Sequence, residues 1–543
     1  MEQSNRPFHQ WVPRPVGTLV LLLMFVPPTF SGGAYLCNAG EMAGSTSLWA
    51  EDIQLASFFT SIGMCLFPPF MVRFLQARRI KRTYLCCFAL LAVLNYVCAT
   101  ATSLPLLLTA CLLTGFVRII AMLNCTFTIA PYLTGMDTLV MFTMKEMPGP
   151  EVQYALERKR TFLMPVLYSF ILLISQASNM LLAWAAYAYR WQDAYFVVIL
   201  MLVVAMLLVV CTMADEESHL KYEPEWGKVP DMLLMGTALC ALAFVLVYGK
   251  TLDWWHSAAI RWGTGVALMA GGAFLFCALR TTKREKYLPL EAFSYRNVWM
   301  SMLLFVGCMV LNSANALVST FAKLTTPVSN HQSATLSGWA MVGCLIGLVL
   351  SVGMIVRKVR FRTIFCTAFL LMAAANASMY FQYQTTGMFS RLPLPMVLNF
   401  AGLLMVYSVA AAFGMKRLPP HLLATYVFLI IWMRNAIAPV IGTSIYANWL
   451  NHRQQYYIGR LAQTVDSGNA LASTAFMQTR RAALASGKGT LEAEEMATTA
   501  VKGRIVVQAT IVAMKDVTGS TVLMLTGAAA LVLLLPYHRR ETT

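Results

Sequence analysis

Two guanidinium groups lie inside long apolar stretches of this 543-residue chain. Arg118 closes the stretch Thr114-Gly115-Phe116-Val117-Arg118, and Arg434 stands in Ile431-Trp432-Met433-Arg434-Asn435. An ionisable side chain deep in a bilayer-length apolar run is costly, so it marks a water-filled cavity or an internal partner. The competing reading is structural: an arginine pinned to backbone carbonyls holds helices together. Asn435 follows Arg434 directly. Asn312 and Asn315 are three residues apart, so on a helix they share one face. They either line the same cavity or bond neighbouring helices. Arg118, Asn312, Asn315, Arg434 and Asn435 are therefore the candidates for a cation-lined polar cavity. Such a lining favours neutral or anionic organic solutes over cations. Asn95, Asn124, Asn179, Asn376 and Asn399 are assigned to interhelical hydrogen bonding.

Proton chemistry needs a titratable group tuned by its surroundings. No Asp or Glu falls at the centre of an apolar run. Asp52 is the best-placed carboxylate and Glu41 the next, both at the edge of the first two runs. The alternative for Asp52 is an acid favoured by a helix N-terminus. Other chemistry is missing its residues. The chain has no GxSxG, HExxH, Walker A or Gly-rich dinucleotide pattern. Its seven histidines lie apart, without metal-ligand spacing. Of thirteen cysteines, all but Cys37 sit within apolar runs, and no CxxC occurs; they read as small packing residues. No enzyme activity, metal or cofactor is expected.

These residues need elements to hold them. Hydrophobic residues make up 58% of the chain and charged residues 12%. Soluble chains average roughly 45–50% and about 25%. So little charge cannot coat a water-exposed surface, which excludes a soluble globular enzyme. The chain reads as an all-α polytopic membrane protein. Fourteen runs are long and apolar enough to span: 16–38, 52–72, 84–101, 104–130, 162–184, 193–213, 231–249, 258–279, 297–322, 335–356, 363–382, 393–414, 421–448 and 517–537. The third and eleventh are the weakest. The first is too long for a signal peptide and lacks a cleavage site, so it is kept as a permanent helix.

The net charge of +17 follows the loops. Alternate segments carry 26 Lys and Arg on one side and five in the short loops opposite. That bias places both termini in the cytoplasm, and it accounts for the basic balance without nucleic acid. Two short basic loops echo each other. One holds Arg78, Arg79, Lys81 and Arg82; the other holds Arg357, Lys358, Arg360 and Arg362. Each follows the second helix of a six-helix block once runs 7 and 8 are set aside. The expected layout is 6 + 2 + 6. It comprises a cytoplasmic N-terminus 1–15, a six-helix bundle 16–213, a two-helix linker 214–296 and a second bundle 297–543. Repeated halves about a central site are a transporter signature. The basic loops are assigned to a cytoplasmic gate. Segment 450–515 is polar and is expected outside the membrane, extending the last two helices as a docking surface, a lid or a spacer.

Several short stretches carry a resemblance. Arg118 resembles an intramembrane Arg of a helix 4 motif. Tyr248-Gly249-Lys250 with Asp253-Trp254-Trp255 resembles a YG…W stretch between helices 7 and 8. Trp432-Met433-Arg434-Asn435 with Pro439 and Gly442 resembles a helix 13 stretch, and Arg453-Gln454-Gln455 with Arg460-Leu461 opens a similar long outer loop. With the helix count, the chain resembles the major facilitator superfamily, in its fourteen-helix drug:proton antiporter branch of EmrB/QacA type. It differs in three places. The loop after run 2 lacks the Asp and glycines of GxxxDRxGRR, run 5 has Pro165 but no Gly, and run 1 has no acid.

The resemblance implies a central cavity between helices 1–6 and 9–14, opened alternately to each side. In Gram-negative relatives it implies an inner-membrane location and partnership with a periplasmic adaptor and an outer-membrane channel. The expected function is a secondary active, proton-coupled exporter of small amphipathic organic compounds. The rivals are an importer on the same fold and a non-transporting receptor or scaffold acting through 450–515.

Overall fold

The computed structural model describes residues 7–71, 74, 79–134, 150–215, 226–280, 287–325, 329–385, 387–465 and 469–534. Among them, thirteen helices are long and apolar enough to cross a membrane, joined by one shorter apolar helix. In chain order they are α1 Arg14–Phe30, α2 Ala50–Phe70, α3 Ile80–Thr100, α4 Leu104–Ile129, α5 Glu157–Ala188, α6 Asp193–Thr212 and α7 Trp226–Tyr248. There follow α8 Ala258–Arg280, α9 Arg296–Thr325, α10 Asn330–Val356, α11 Phe361–Gln382, α12 Phe389–Met415, α13 Pro420–Thr464 and α14 Thr490–Leu534. The described residues contain no sheet, only a single bridge between Phe8 and Met213. A helix satisfies its own backbone, which is the requirement that apolar surroundings impose.

The packing has an internal repeat. In the first half α4 meets α1, α2 and α3, and α6 meets α1 and α3. In the second half α12 meets α9, α10 and α11, and α14 meets α9 and α11. An offset of eight helices carries one set onto the other. The closest crossings also correspond. A side-chain carbon at Gly63 or Gly115 would strike the backbone of the facing helix, at Leu112 and Thr60. At Gly347 it would come within 2.7 Å of the Ala401 carbonyl oxygen, and Gly343 faces Val397 in the same way. Glycine lets backbones approach to van der Waals distance, where dispersion rather than water exclusion holds helices together.

The halves meet through α5 against α10 and α12, and through α2 against α13. The α7–α8 hairpin lies outside this repeat. Its α7 packs on α2 and α13, and Tyr287 donates to the Leu66 carbonyl at 3.1 Å. α12 is buried almost throughout. α8 is the opposite case, with Trp262 76% and Leu268 70% exposed. Apolar side chains spread over a whole helix face match a lipid environment.

Two sequence boundaries need correction. The first run does not continue as helix to residue 38. α1 stops at Phe30, Ser31–Tyr35 are unwound, and a 3-10 turn Leu36–Asn38 leads into a short helix Ala39–Thr46. Pro27 and Pro28 remove two backbone donors just before the break. The ninth run is interrupted by a 3-10 turn at Ser313–Asn315. The two weakest runs are regular helices. Asn376 Nδ2 bonds within its own helix, to Met372 O at 2.9 Å, whereas Asn95 Nδ2 bonds both to Leu91 O at 2.7 Å and across to Ser31.

Segment 450–515 is mostly helical. α13 runs on to Thr464, Ala470–Ala485 forms a separate helix, and α14 begins at Thr490. Arg453–Asp516 at 3.1 Å and Arg480–Glu494 at 3.1 Å tie these pieces together.

Candidate functional site

Arg434 sits on the one π-helical turn among the described residues, Met433–Ile437 in α13. Such a turn inserts one residue into the helix and re-aims its side chains; it recurs at functional sites. Arg434 Nε donates to Asn435 Oδ1 at 3.1 Å, and its guanidinium lies 6.0 Å from the Tyr168 ring of α5. Within electrostatic reach of Arg434 stand Cys65 of α2, Tyr168, Tyr407 of α12 and Arg118 of α4. Tyr168 and Tyr407 stack at 6.0 Å, and Phe305 of α9 meets Tyr407 edge-on at 4.7 Å. Both halves therefore contribute to one centre, with two cations beside an aromatic wall. Below the first turn, none of α1–α6 or α9–α13 carries an Asp or Glu to neutralise them.

Arg118 has a second attachment. Its Nη2 donates to Thr29 O at 2.7 Å, a carbonyl left without a helical partner where α1 ends. A cation there also complements the helix C-terminus. The unwound segment beyond is held by other polar groups. Tyr35 OH donates to Phe30 O at 3.0 Å and Tyr195 OH to Gly33 O at 2.7 Å. Asn95 Nδ2 donates to Ser31 Oγ at 2.5 Å. The pinned-arginine reading thus holds for Nη2. Nε of the same side chain is buried and unpartnered, as is Asn435 Nδ2. Trp432 Nε1 is a third buried donor without a partner, one residue before the π-turn.

Asn312 and Asn315 separate. Asn312 Oδ1 accepts from Asn399 Nδ2 of α12 at 2.8 Å, which is interhelical bonding. Asn315, on the 3-10 turn, is half-buried. Gly442 of α13 packs directly on Ser313 beside them.

The carboxylates lie at the end of the molecule opposite the termini. Asp52 is 9% exposed, and both its oxygens are engaged. Oδ2 accepts from the Trp49 N–H at 2.8 Å, a helix-capping contact, and Oδ1 accepts from Tyr248 OH of α7. Glu41 Oε1 accepts from Asn330 Nδ2 at 3.1 Å, joining the short helix Ala39–Thr46 to α10 across the two halves. Its Oε2 is buried without a partner. Next to this contact Tyr187 of α5 stacks on His331 of α10 at 5.5 Å, and His331 Nδ1 is likewise unpartnered.

Part of the first basic loop is tied within its own half. Lys81 Nζ donates to Met213 O at 2.8 Å and Val210 O at 3.1 Å, and Arg82 pairs with Asp215 at 2.9 Å. These contacts cap α6 within the same half, where the last carbonyls lack helical donors. Arg79 precedes α3, and Arg78 lies outside the described residues. Arg357, Lys358 and Arg360 form the exposed α10–α11 turn, with Lys358 at φ 54°, and Arg362 opens α11. Across the halves on this side, Arg417 N–H donates to Glu157 Oε1 at 3.1 Å.

Sequence reasoning missed Tyr168, Tyr407, Tyr35 and Tyr195, and it saw Tyr248 only as part of a resembling stretch, not as a partner of Asp52. Each is a buried phenol in an apolar run, and a run's hydrophobicity does not separate a packing ring from a polar tip.

No protein-family model and no curated protein matches the sequence. Solved structures match in shape. A mutant of the peptide transporter POT superposes with a TM-score of 0.51 at 12% identity, over 95% of this chain and 94% of that one. An auto-inhibited POT family peptide transporter gives 0.50 at 12% identity, over 97% and 98%. The mutant POT bound to alafosfalin gives 0.50 at 12% identity, over 95% and 94%. At such identity the likeness speaks for architecture alone. The chain is a multi-pass helical protein with the major-facilitator fold.

Proposed function

We propose that this protein is a secondary active transporter of small organic solutes working by alternating access. The observation that supports it most is the centre shared by the halves, where Arg434 lies by Tyr168 and Tyr407 with Arg118 within electrostatic reach. A scaffold has no use for two uncompensated cations at the junction of two repeated bundles. A site contacted from both halves is what rocking halves expose by turns.

Export of amphipathic compounds, as in the fourteen-helix drug:proton antiporter branch, is the direction we assign, with the termini in the cytoplasm. Arg118, Arg434 and Asn435 bind the polar end of the solute, and Asn315 is the α9 residue assigned to the cavity with them. Asn312 positions α9 through Asn399. Of the two proton-coupling candidates, Glu41 is favoured because one buried oxygen has no partner, whereas both oxygens of Asp52 are occupied. Protonating Glu41 would weaken the contact to Asn330 and so link proton uptake to separation of the halves. The helical extension within 450–515 is where a periplasmic adaptor would dock.

The test is proton flux in everted vesicles carrying an imposed gradient, with amphipathic compounds added singly. A compound-dependent collapse of the gradient, lost in Glu41→Gln, is expected. No response to any compound, from vesicles holding correctly inserted protein, would refute the proposal.

A further inference from the structure

The centre between the halves has more donors than acceptors. Arg118 Nη2 is committed to Thr29 O and Arg434 Nε to Asn435 Oδ1. Arg118 Nε and Asn435 Nδ2 are buried and bond to nothing. A buried donor left unpaired loses its hydration with no return, and a buried cation without a counter-charge loses more. Two guanidiniums within electrostatic reach of each other add repulsion. No carboxylate from the surrounding helices relieves it, since the acids of α2, α5 and α6 are confined to their first turns. Such a cluster is stabilised by an oxyanion, which accepts several charge-assisted hydrogen bonds at once. A cationic head group would only add to the repulsion.

The walls define the rest of the ligand. Tyr168 and Tyr407 stack beside Arg434, and Phe305 closes on Tyr407. These rings offer an apolar, π-rich surface next to the cations.

We propose that the site takes an aromatic or amphipathic carboxylate, its carboxylate held between Arg118, Arg434 and the Asn435 amide and its apolar body against Tyr168, Tyr407 and Phe305. This rests on the transporter reading for its purpose, though not for its chemistry.

The probes are phenylbutyrate, phenylbutylamine and phenylbutanol, which share one apolar body and differ in the head group. Binding to the purified full-length protein is read by thermal shift and tryptophan fluorescence. Phenylbutyrate is expected to bind tightest, with Arg434→Gln and Asn435→Leu each weakening it at least ~10-fold and Arg434→Lys losing less. Arg118→Gln also uncaps α1, so the two α13 variants carry the test if it fails to fold. Equal or tighter binding of the amine would overturn the proposal. So would phenylbutyrate binding unchanged in both α13 variants, or no phenylbutyrate binding at millimolar concentration. Proteoliposomes separate the two claims. Specific phenylbutyrate binding without flux of any compound would overturn transport and leave the site standing. Flux of other compounds without carboxylate binding would overturn the site and leave transport standing.

Discussion

Arg118 does two jobs with different atoms, and the difference is measurable. Nη2 caps α1 at Thr29, while Nε is buried and unpartnered. Arg118→Met should therefore lower stability as well as abolish transport. The cost of the lost charged hydrogen bond is about 1.5–3 kcal/mol, read as a fall in the melting temperature of the detergent-solubilised protein. Arg434→Gln should abolish transport with a smaller effect on melting, because its bond is to the adjacent Asn435. Equal destabilisation by both would contradict this division. The carboxylates divide similarly. Asp52→Asn should mainly loosen the α2 N-terminus and its tie to Tyr248, whereas Glu41→Gln should leave melting nearly unchanged and remove coupled proton flux. At this scale the arginines were legible in the sequence, because a cation in an apolar run stands out. The tyrosines were not, and Asn312 was ambiguous until its bond to Asn399 was seen.

At the scale of elements, breaks matter as much as helices. Pro27 and Pro28 weaken the end of α1, but how the break is held depends on distant groups. Arg118 and Tyr35 donate to the last carbonyls of α1, at Thr29 and Phe30, and Asn95 and Tyr195 donate to Ser31 and Gly33 of the unwound segment. No local pattern contains that information. The π-turn at Met433–Ile437 was equally hidden; Pro439 and Gly442 after it stand out only as part of a resembling stretch, which says nothing of the helix geometry. The glycine crossings yield a firm prediction. Gly115→Leu forces α2 and α4 apart, and Gly347→Leu does the same to α10 and α12. Each should cost about 1–3 kcal/mol, seen as earlier thermal unfolding, while Gly265→Leu on the open face of α8 should be nearly neutral. The Glu41–Asn330 contact predicts a kinetic effect. Asn330→Ala removes a bond between halves, so labelling of a cysteine placed at the central site from the face opposite the termini should speed up. Unchanged labelling would show that this contact does not hold that face closed.

For the molecule as a whole, apolar length was enough to anticipate the helices, thirteen of membrane-crossing length and a shorter first one among the described residues, and their repeat about a hairpin. Helices in lipid are defined by length and hydrophobicity more than by side-chain detail. What the sequence left open was how the halves touch, because that depends on pairs far apart in the chain, such as Tyr187 with His331 and Glu157 with Arg417. These two contacts lie at opposite ends of the molecule. Rocking about the central arginines should therefore break one as the other tightens. Spin labels on genetically encoded residues would leave the thirteen cysteines untouched. One pair, at Gln10 and Arg357, reports the face bearing the termini; the other, at Arg190 and Gln384, reports the opposite face. The measurement is both distance distributions in the same reconstituted protein, with and without phenylbutyrate. The account predicts that the two distances change in opposite senses when the ligand is added, and that Arg434→Gln abolishes the response. Two distances that stay fixed, or that lengthen together, would contradict alternating access about this site.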